Sequence, residues 1–324
     1  MSKQVNLPQS EHFELKELAE GVYAALGKAG SPTFSNAGII DLGSQTLVLD
    51  AFELPAAGAD LRAAAEQLTG RPVTAVILSH VHSDHSVGLQ AFAPGTPILS
   101  SPAIRDGLPD AVGWVRHWQE HPDELEAALA AERERLAAAA DESQRAGIGR
   151  TIARLEHLLA ALPTLTFRLP DLTFAGRLTF HGSRRTVELH TVEPGHTASD
   201  IYLLLPKDRI CFMGDLGFFQ SQPFMVFCDP EAWMAWLAQA ETFDVEVFVP
   251  GHGLPGTKAD LARQRQYIAA LEAMVGEVIA EGVSVDEALA RPLPGFESWI
   301  AASTARWEAN VQSAYERQSG EPGE

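Results

Sequence analysis

The sequence predicts a mixed α/β protein. Short aliphatic and β-branched segments bounded by Gly, Pro or Asp recur along the chain, and longer segments with helical apolar spacing lie between them. No repeat is visible at a period of about 20–50 residues, which sets solenoids and propellers aside.

The strand expectations, in order, are GVYAAL (21–26), AGIIDLG (37–43), TLVLDA (46–51), VTAVILS (73–79), TVELHTV (186–192), DIYLLLP (200–206), RICFMGD (209–215) and VEVFVPG (245–251). Residues 55–70 carry the spacing of one helix that ends at Gly70 and Pro72. DPEAWMAWLAQAETF (229–243) opens with an acidic cap and a proline in the first turn, and sets Trp233, Trp236 and Leu237 on one face, which reads as core. From about 104 to 162 the chain is rich in Ala, Glu and Arg and reads as two helices broken near AGIG (146–149). This is a helical insertion between two β-rich halves, with charged faces suited to solvent or a subunit contact. A helical C-terminal extension covers about 258–324 and ends in a polar tail. The expected organisation is one domain over 1–324.

At 324 residues the chain can bury a sizeable core without staples, and its two cysteines, Cys211 and Cys228, are too few for a disulfide framework. The 43 acidic against 24 basic side chains give a formal charge of -19, a field that repels polyanions and excludes nucleic acid as a default partner. The polar N-terminus has no secretory pattern, and no apolar run approaches the ~18 residues of a membrane span. The expectation is a soluble, cytoplasmic protein with a small-molecule substrate and no membrane partner.

One segment carries the chemistry. SHVHSDHSVG (79–88) follows an apolar strand and packs His80, His82, Asp84 and His85 together. His80 and His82, two residues apart at a strand end, can project to one side and share an ion. Asp84 and His85, after a turn, can face a second position with the N and O donors that Zn²⁺ accepts. One loop cannot complete two sites, so further ligands are expected at other strand ends. VEPGHTASD (192–200) supplies His196, FMGDLG (212–217) supplies Asp215 and VPGHGLPG (249–256) supplies His252. Five of the eleven histidines fall into this set.

These motifs resemble those of the metallo-β-lactamase superfamily: HVHSDH matches the His-X-His-X-Asp-His signature, and His196, Asp215 and His252 match the later metal motifs in order. The resemblance covers roughly 21–256. It implies a four-layer αββα sandwich with the metals at one edge between the sheets, one ion held by His80, His82 and His196, another by Asp84, His85 and His252, with Asp215 bridging. It also implies two zinc ions per chain, with iron or manganese as alternatives, and a hydroxide nucleophile that Asp84 orients as the catalytic residue. Asp50, ending TLVLD, resembles the acidic partner that orients a ligand histidine in this family; read alone, it is a strand-end Asp capping a turn.

The remaining histidines, His12, His117, His121, His157, His181 and His190, lack this spacing and read as surface or packing residues. His117, flanked by Trp114 and Trp118, is the one that could line a pocket. Cys211 shares strand parity with Asp215 and is assigned no ligand role. The Phe-rich loop GFFQSQPFMVF (217–227) reads equally as an apolar substrate wall or as core.

Departures from subfamily patterns narrow the choice. Asp215 stands where true antibiotic-resistance β-lactamases carry a cysteine, and His82 where flavodiiron proteins typically carry Glu. What remains resembles the glyoxalase II, lactonase and esterase-like branch: a dizinc hydrolase of a small ester, thioester, lactone or related bond. The alternatives are a mononuclear iron persulfide dioxygenase and a non-catalytic metal-dependent ligand-binding protein. The insertion is expected to act as a lid or as a homodimer contact.

Overall fold

The computed structural model describes residues 7–28, 31–139 and 142–320. The chain opens with an antiparallel meander, β1 (Phe13–Ala19), β2 (Val22–Gly27), β3 (Asn36–Asp41) and β4 (Thr46–Leu49). Helix α1 (Pro55–Thr69) then leads to β5 (Ala75–Ile77), followed by the single turn α2 (Ser83–Ser86) and β6 (Ile98–Ser100). Four helices, α3 (Pro102–Ala111), α4 (Trp114–Glu120), α5 (Pro122–Ala138) and α6 (Glu142–Ala161), precede β7 (Leu172–Thr173). Strands β4 to β7 are parallel neighbours, and parallel strands need crossovers, so α1 and the α3–α6 group occupy connections the sheet requires.

The second sheet comprises β8 (Arg177–His181), β9 (Thr186–Val192), β10 (Asp200–Leu205), β11 (Ile210–Phe212) and β12 (Val247–Val249), in the order β12-β11-β10-β9-β8. Only β11 and β12 run parallel, joined through α7 (Pro230–Ala240). The chain ends with α8 (Lys258–Glu281), α9 (Val285–Ala290), α10 (Glu297–Ala302) and α11 (Thr304–Ser319).

Strand alternation creates the layers. Ile201, Leu203, Leu205, Ile210 and Phe212 point into the core shared with the first sheet and α1. Tyr202, Cys211 and Phe248 point the other way, into a second core with Trp233, Trp236 and Leu237 of α7 and Tyr267, Ile268 and Leu271 of α8. The result is the αββα sandwich that the resemblance implied. Each large apolar side chain so buried is worth about 1.5–3 kcal/mol. The sheets approach closely at Gly38, where a Cβ would lie 2.8 Å from the Phe212 ring.

All eight expected strands form. Four more escaped the sequence reading: β6 and β7 have only three and two residues, β8 is half-exposed, and β1 alternates apolar with charged residues in FELKELA. The helical segment also differs. Residues 146–149 lie inside α6, and the chain divides at Pro122, the first position of α5, and again between α5 and α6. Two glycines cost the helix about 2 kcal/mol relative to alanine, less than Leu155 and Leu158 regain by burial in the core. No described helix is long and apolar enough to cross a membrane.

Candidate metal centre

Four loops after strands bring the seven expected residues to one edge of the sandwich. His80 and His82 follow β5, while α2 turns Asp84 and His85 toward the same point. The Ile201 amide donates to the Ser79 carbonyl at 2.7 Å, tying this loop to the second sheet, and the Ser35 hydroxyl donates to the Asp84 carbonyl at 2.6 Å. His196 follows β9 in a turn held by Asp200, whose carboxylate accepts the Thr197 amide at 3.0 Å and hydroxyl at 3.1 Å. Burial pushes the Asp200 carboxyl up to about 6 despite these bonds.

Asp215 sits in a 3₁₀ turn after β11, where Trp233 Nε1 and Gln264 Nε2 both donate to the Leu216 carbonyl at 3.0 Å. His252 follows β12. Asn36 clamps that loop, its side-chain amide donating to the Pro250 and Gly253 carbonyls at 2.9 and 2.8 Å. Gly251 admits the neighbouring carboxylate, since a Cβ there would fall 1.9 Å from Asp215 Oδ1.

All seven expected residues converge, in two groups. His80, His82, His196 and Asp215 form one; Asp84, His85 and His252 form the other, and within each the candidate ligand atoms lie within 4.8 Å of one another. His82 Nδ1 is 3.1 Å from both His80 Nε2 and His196 Nε2, while Asp215 Oδ2 is 3.6 and 3.4 Å from those two nitrogens. In the second group, His85 Nε2 and His252 Nε2 lie 3.5 and 3.3 Å from Asp84 Oδ2. Asp215 reaches this group too, with Oδ1 3.1 Å from His85 and Oδ2 3.2 Å from His252. It therefore stands between the two groups, as a bridging carboxylate must.

The donor set fits divalent ions. Ligands about 2.0–2.2 Å from a tetrahedral zinc stand roughly 3.3–3.6 Å apart, close to these separations. His82 Nδ1 can carry at most one proton, so hydrogen bonding alone cannot satisfy three imidazole nitrogens that meet head-on. His85 Nε2 and Asp215 Oδ1 are buried without a hydrogen-bond partner, which a cation between them would supply.

Asp50 orients both groups, as its family resemblance implied. Buried at the end of β4, it accepts the Ser79 amide and hydroxyl at 2.8 Å each and His85 Nδ1 at 2.9 Å. The bond from Nδ1 places the His85 proton there and frees Nε2 to face the centre. The Ser79 hydroxyl, 2.9 Å from His80 Nδ1, extends the chain to the first group. Asp50 adopts φ 59°, a left-handed conformation that Asp tolerates better than most residues.

Electrostatics divide the histidines. Burial lowers the pKa of His80 well below the ordinary value, and burial with the nearby His196 lowers that of His82 to about 4. For His85 and His252 burial acts in the same sense, but the Asp215 and Asp84 carboxylates outweigh it and raise both. Asp84 and Asp215 are held far below the usual carboxylate range: burial opposes this, and the facing histidines overcome it.

The surroundings are aromatic. The Phe34 ring stacks on His252 at 5.8 Å, and those of Phe224 and Phe227 lie 5.8 and 5.6 Å from His82. Phe34 and Phe227 are 42% and 62% exposed, so they form an apolar rim to the centre. The Phe-rich loop thus divides: Phe218, Phe219 and Met225 enter the second core while Phe224 and Phe227 border the ligands. Sequence reasoning missed Phe34 because it lies outside every ligand motif.

Glu53 was missed as well. Its buried carboxylate accepts Arg154 of α6 at 2.5 and 2.6 Å and the Ser83 hydroxyl at 3.0 Å, linking the helical segment to the ligand loop. The other histidines stand apart. His117 is exposed on α4, 2.6 Å from Glu124; His190 stacks on Tyr202; His12 contacts His157. Cys211 faces the second core, where burial pushes its thiol pKa up.

Comparison with known proteins agrees with this geometry. No curated protein matches by sequence. Among solved structures, a metallo-beta-lactamase from Pontibacter korlensis superposes with a TM-score of 0.55 at 17% identity, over 79% of this chain and 99% of that one. The inverting sec-alkylsulfatase Pisa1 from Pseudomonas sp. gives 0.64 at 16% identity, covering 96% of this chain, which spans about half (51%) of that protein. The metallo-beta-lactamase FIM-1 from Pseudomonas aeruginosa, in its mono-zinc form, gives 0.56 at 14% identity over 81% and 97%. At these identities the likeness is one of fold. The family model described as the metallo-beta-lactamase superfamily matches residues 30–252, the segment that contains all seven converging residues, and the chain belongs to that superfamily.

Proposed function

We propose that this protein is a metal-dependent hydrolase with two zinc ions, cleaving a small ester, thioester, lactone or related bond. The observation that carries the reading is the pair of ligand groups sharing Asp215. Bound there, such ions lower the pKa of water from ~15.7 to near ~7 and polarise a carbonyl or phosphoryl oxygen.

The chain's own residues do the rest. His80, His82 and His196 would hold one ion, and Asp84, His85 and His252 the other. Asp84 is the more open carboxylate, 15% exposed against 3% for Asp215, so it can accept a hydrogen bond from the attacking water and hold it toward the substrate. Asp50 keeps the His85 proton on Nδ1 throughout. Phe34 and Phe227 offer an apolar wall that displaces bulk water from one side of the reacting group. The completeness of the second group favours this over a mononuclear iron persulfide dioxygenase. The helical insertion at about 104–162, which is α3–α6, we read as a cap or a dimer contact, since Arg154 joins it to the ligand loop and α6 touches α10.

The test is metal analysis of the purified protein, coupled to a panel of carboxylic esters, thioesters, lactones and alkyl sulfates, with chelator and zinc restoration as controls. The expected result is two zinc per chain and turnover that chelation abolishes and zinc restores. Full activity after complete metal removal would sink the reading; thiol-dependent oxygen uptake with bound iron would replace it with the dioxygenase.

A further inference from the structure

Arg306 lies outside the matched family segment, in the first turn of α11, yet its side chain reaches toward the metal centre. Its guanidinium carbon is 5.6 Å from the centre of the Phe218 ring, and that ring stacks on His252 at 4.7 Å with an interplanar angle of 12°. One N–H donates to the Gln222 carbonyl at 2.9 Å. Gln222 is itself pinned: its side-chain amide donates to the Trp299 and Ser303 carbonyls at 2.8 Å each, and its side-chain oxygen accepts Tyr267 Oη at 3.1 Å. The guanidinium is thus held in place by a neutral carbonyl, and among the described residues it forms no ion pair.

This placement works against local stability. The N-terminal turn of a helix carries partial positive charge, which a cation there opposes, and no acidic residue in that turn compensates. Burial also lowers the Arg306 pKa, and the carboxylates whose charge reaches it are Asp215 and Asp84, which ions at the centre would neutralise. A half-buried cation without its own counter-ion, beside a site that would carry divalent charge, is arranged to receive an anion.

We propose that Arg306 is a substrate-recognition residue that pairs with an oxyanion, most simply a carboxylate, carried by the substrate away from its scissile bond. This deepens the hydrolase reading and rests on it. The substrate class is then an anionic ester, thioester or lactone whose apolar portion lies along Phe34 and Phe227 while its charged group reaches α11.

The experiment compares two activated esters of similar chain length on the zinc-loaded protein: para-nitrophenyl butyrate, which is neutral, and mono-para-nitrophenyl glutarate, which carries the carboxylate. Arg306→Gln should lower the glutarate-to-butyrate ratio of kcat/KM about tenfold or more, the scale of one lost charge-assisted hydrogen bond, mainly through KM. Arg306→Lys should recover part of it. An unchanged ratio in R306Q, or an equal loss on both esters that lysine does not mitigate, overturns the proposal. Binding of free glutarate, followed by calorimetry, separates the two readings. If neither ester turns over but glutarate binds the wild type and R306Q binds it at least tenfold more weakly, the hydrolase reading falls and the role of Arg306 stands. Equal glutarate binding by both, or none by either, overturns the role of Arg306 whatever the catalysis.

Discussion

Replacing Asp50 probes the centre without touching a ligand. In Asp50→Asn the shape is kept, but one oxygen becomes an NH₂ group. If the remaining oxygen keeps the Ser79 amide, the new donor faces the Ser79 hydroxyl and His85 Nδ1, both now bonded to Oδ2 at 2.8 and 2.9 Å. His85 relieves the donor–donor clash by moving its proton to Nε2, the atom 3.1 Å from Asp215 Oδ1 that must hold a lone pair for an ion. Loss of such an orienting partner costs about 10–100-fold in metal affinity, or roughly 1.4–2.7 kcal/mol. The effect should fall on the Asp84–His85–His252 group more than on the other, which feels Asp50 only through Ser79. Asp50→Ala removes all three bonds; at about 1–3 kcal/mol per unsatisfied buried donor, it should cost the metal-free fold at least ~3 kcal/mol. Competition titration against a chromophoric chelator, with thermal unfolding of both variants, reads the two quantities separately. Wild-type affinity at both positions in D50N would refute the account of the His85 tautomer.

Three further outcomes follow from the same geometry. Gly251→Ala should weaken both positions together and destabilise the fold by about 1–3 kcal/mol, because the new methyl meets Asp215 Oδ1 at 1.9 Å and the Asp215 amide nitrogen at 2.9 Å, and backbone there cannot yield; metal stoichiometry and a melting curve check it. In chelated protein, His82 titrates near 4 when folded and near 6.5 when unfolded, so the unfolded state binds more protons between these values and stability should fall as pH drops from about 6.5 to about 4. His85 and His252 are raised instead, so their contribution is present below about 6.5 and is lost as pH climbs through their folded values. Ion binding must expel those protons, and zinc affinity should therefore rise with pH over that upper range. Calorimetry in buffers of different ionisation enthalpy counts the protons released; none released would contradict the raised values.

Much of the centre was legible in the chain. His80, His82, Asp84 and His85 sit within one strand end and one helical turn, where local backbone geometry dictates direction, so their spacing already specified two donor groups. Gly and Pro around His196, Asp215 and His252 marked strand-end turns, which in layered α/β folds gather at one edge. The long strands and helices were readable for the same reason: their periodicity extends over several residues. β6 and β7 sit in short segments with no longer apolar run around them, unlike the equally short β5, β11 and β12, whose flanking residues extend the pattern, and the division between α5 and α6 was misplaced because two glycines are cheaper than the burial their helix gains.

What the chain alone determined, then, is the type of chemistry: which side chains could bind metal, and that two groups of them exist. Only tertiary structure decided how they meet. His82 and His196 are 114 positions apart, and His252 Nδ1 lies 3.1 Å from a Phe34 carbonyl 218 positions away, distances in sequence that no local pattern spans. The same packing placed Asp50 between the two groups, tied Arg154 of α6 to Glu53, and brought Arg306 from the last helix to Phe218. Asp50 could be suspected from its place after TLVLD, but the Glu53–Arg154 pair and Arg306 have no sequence motif, because each works through a partner that only the folded sheets and their covering helices bring within hydrogen-bonding or packing reach.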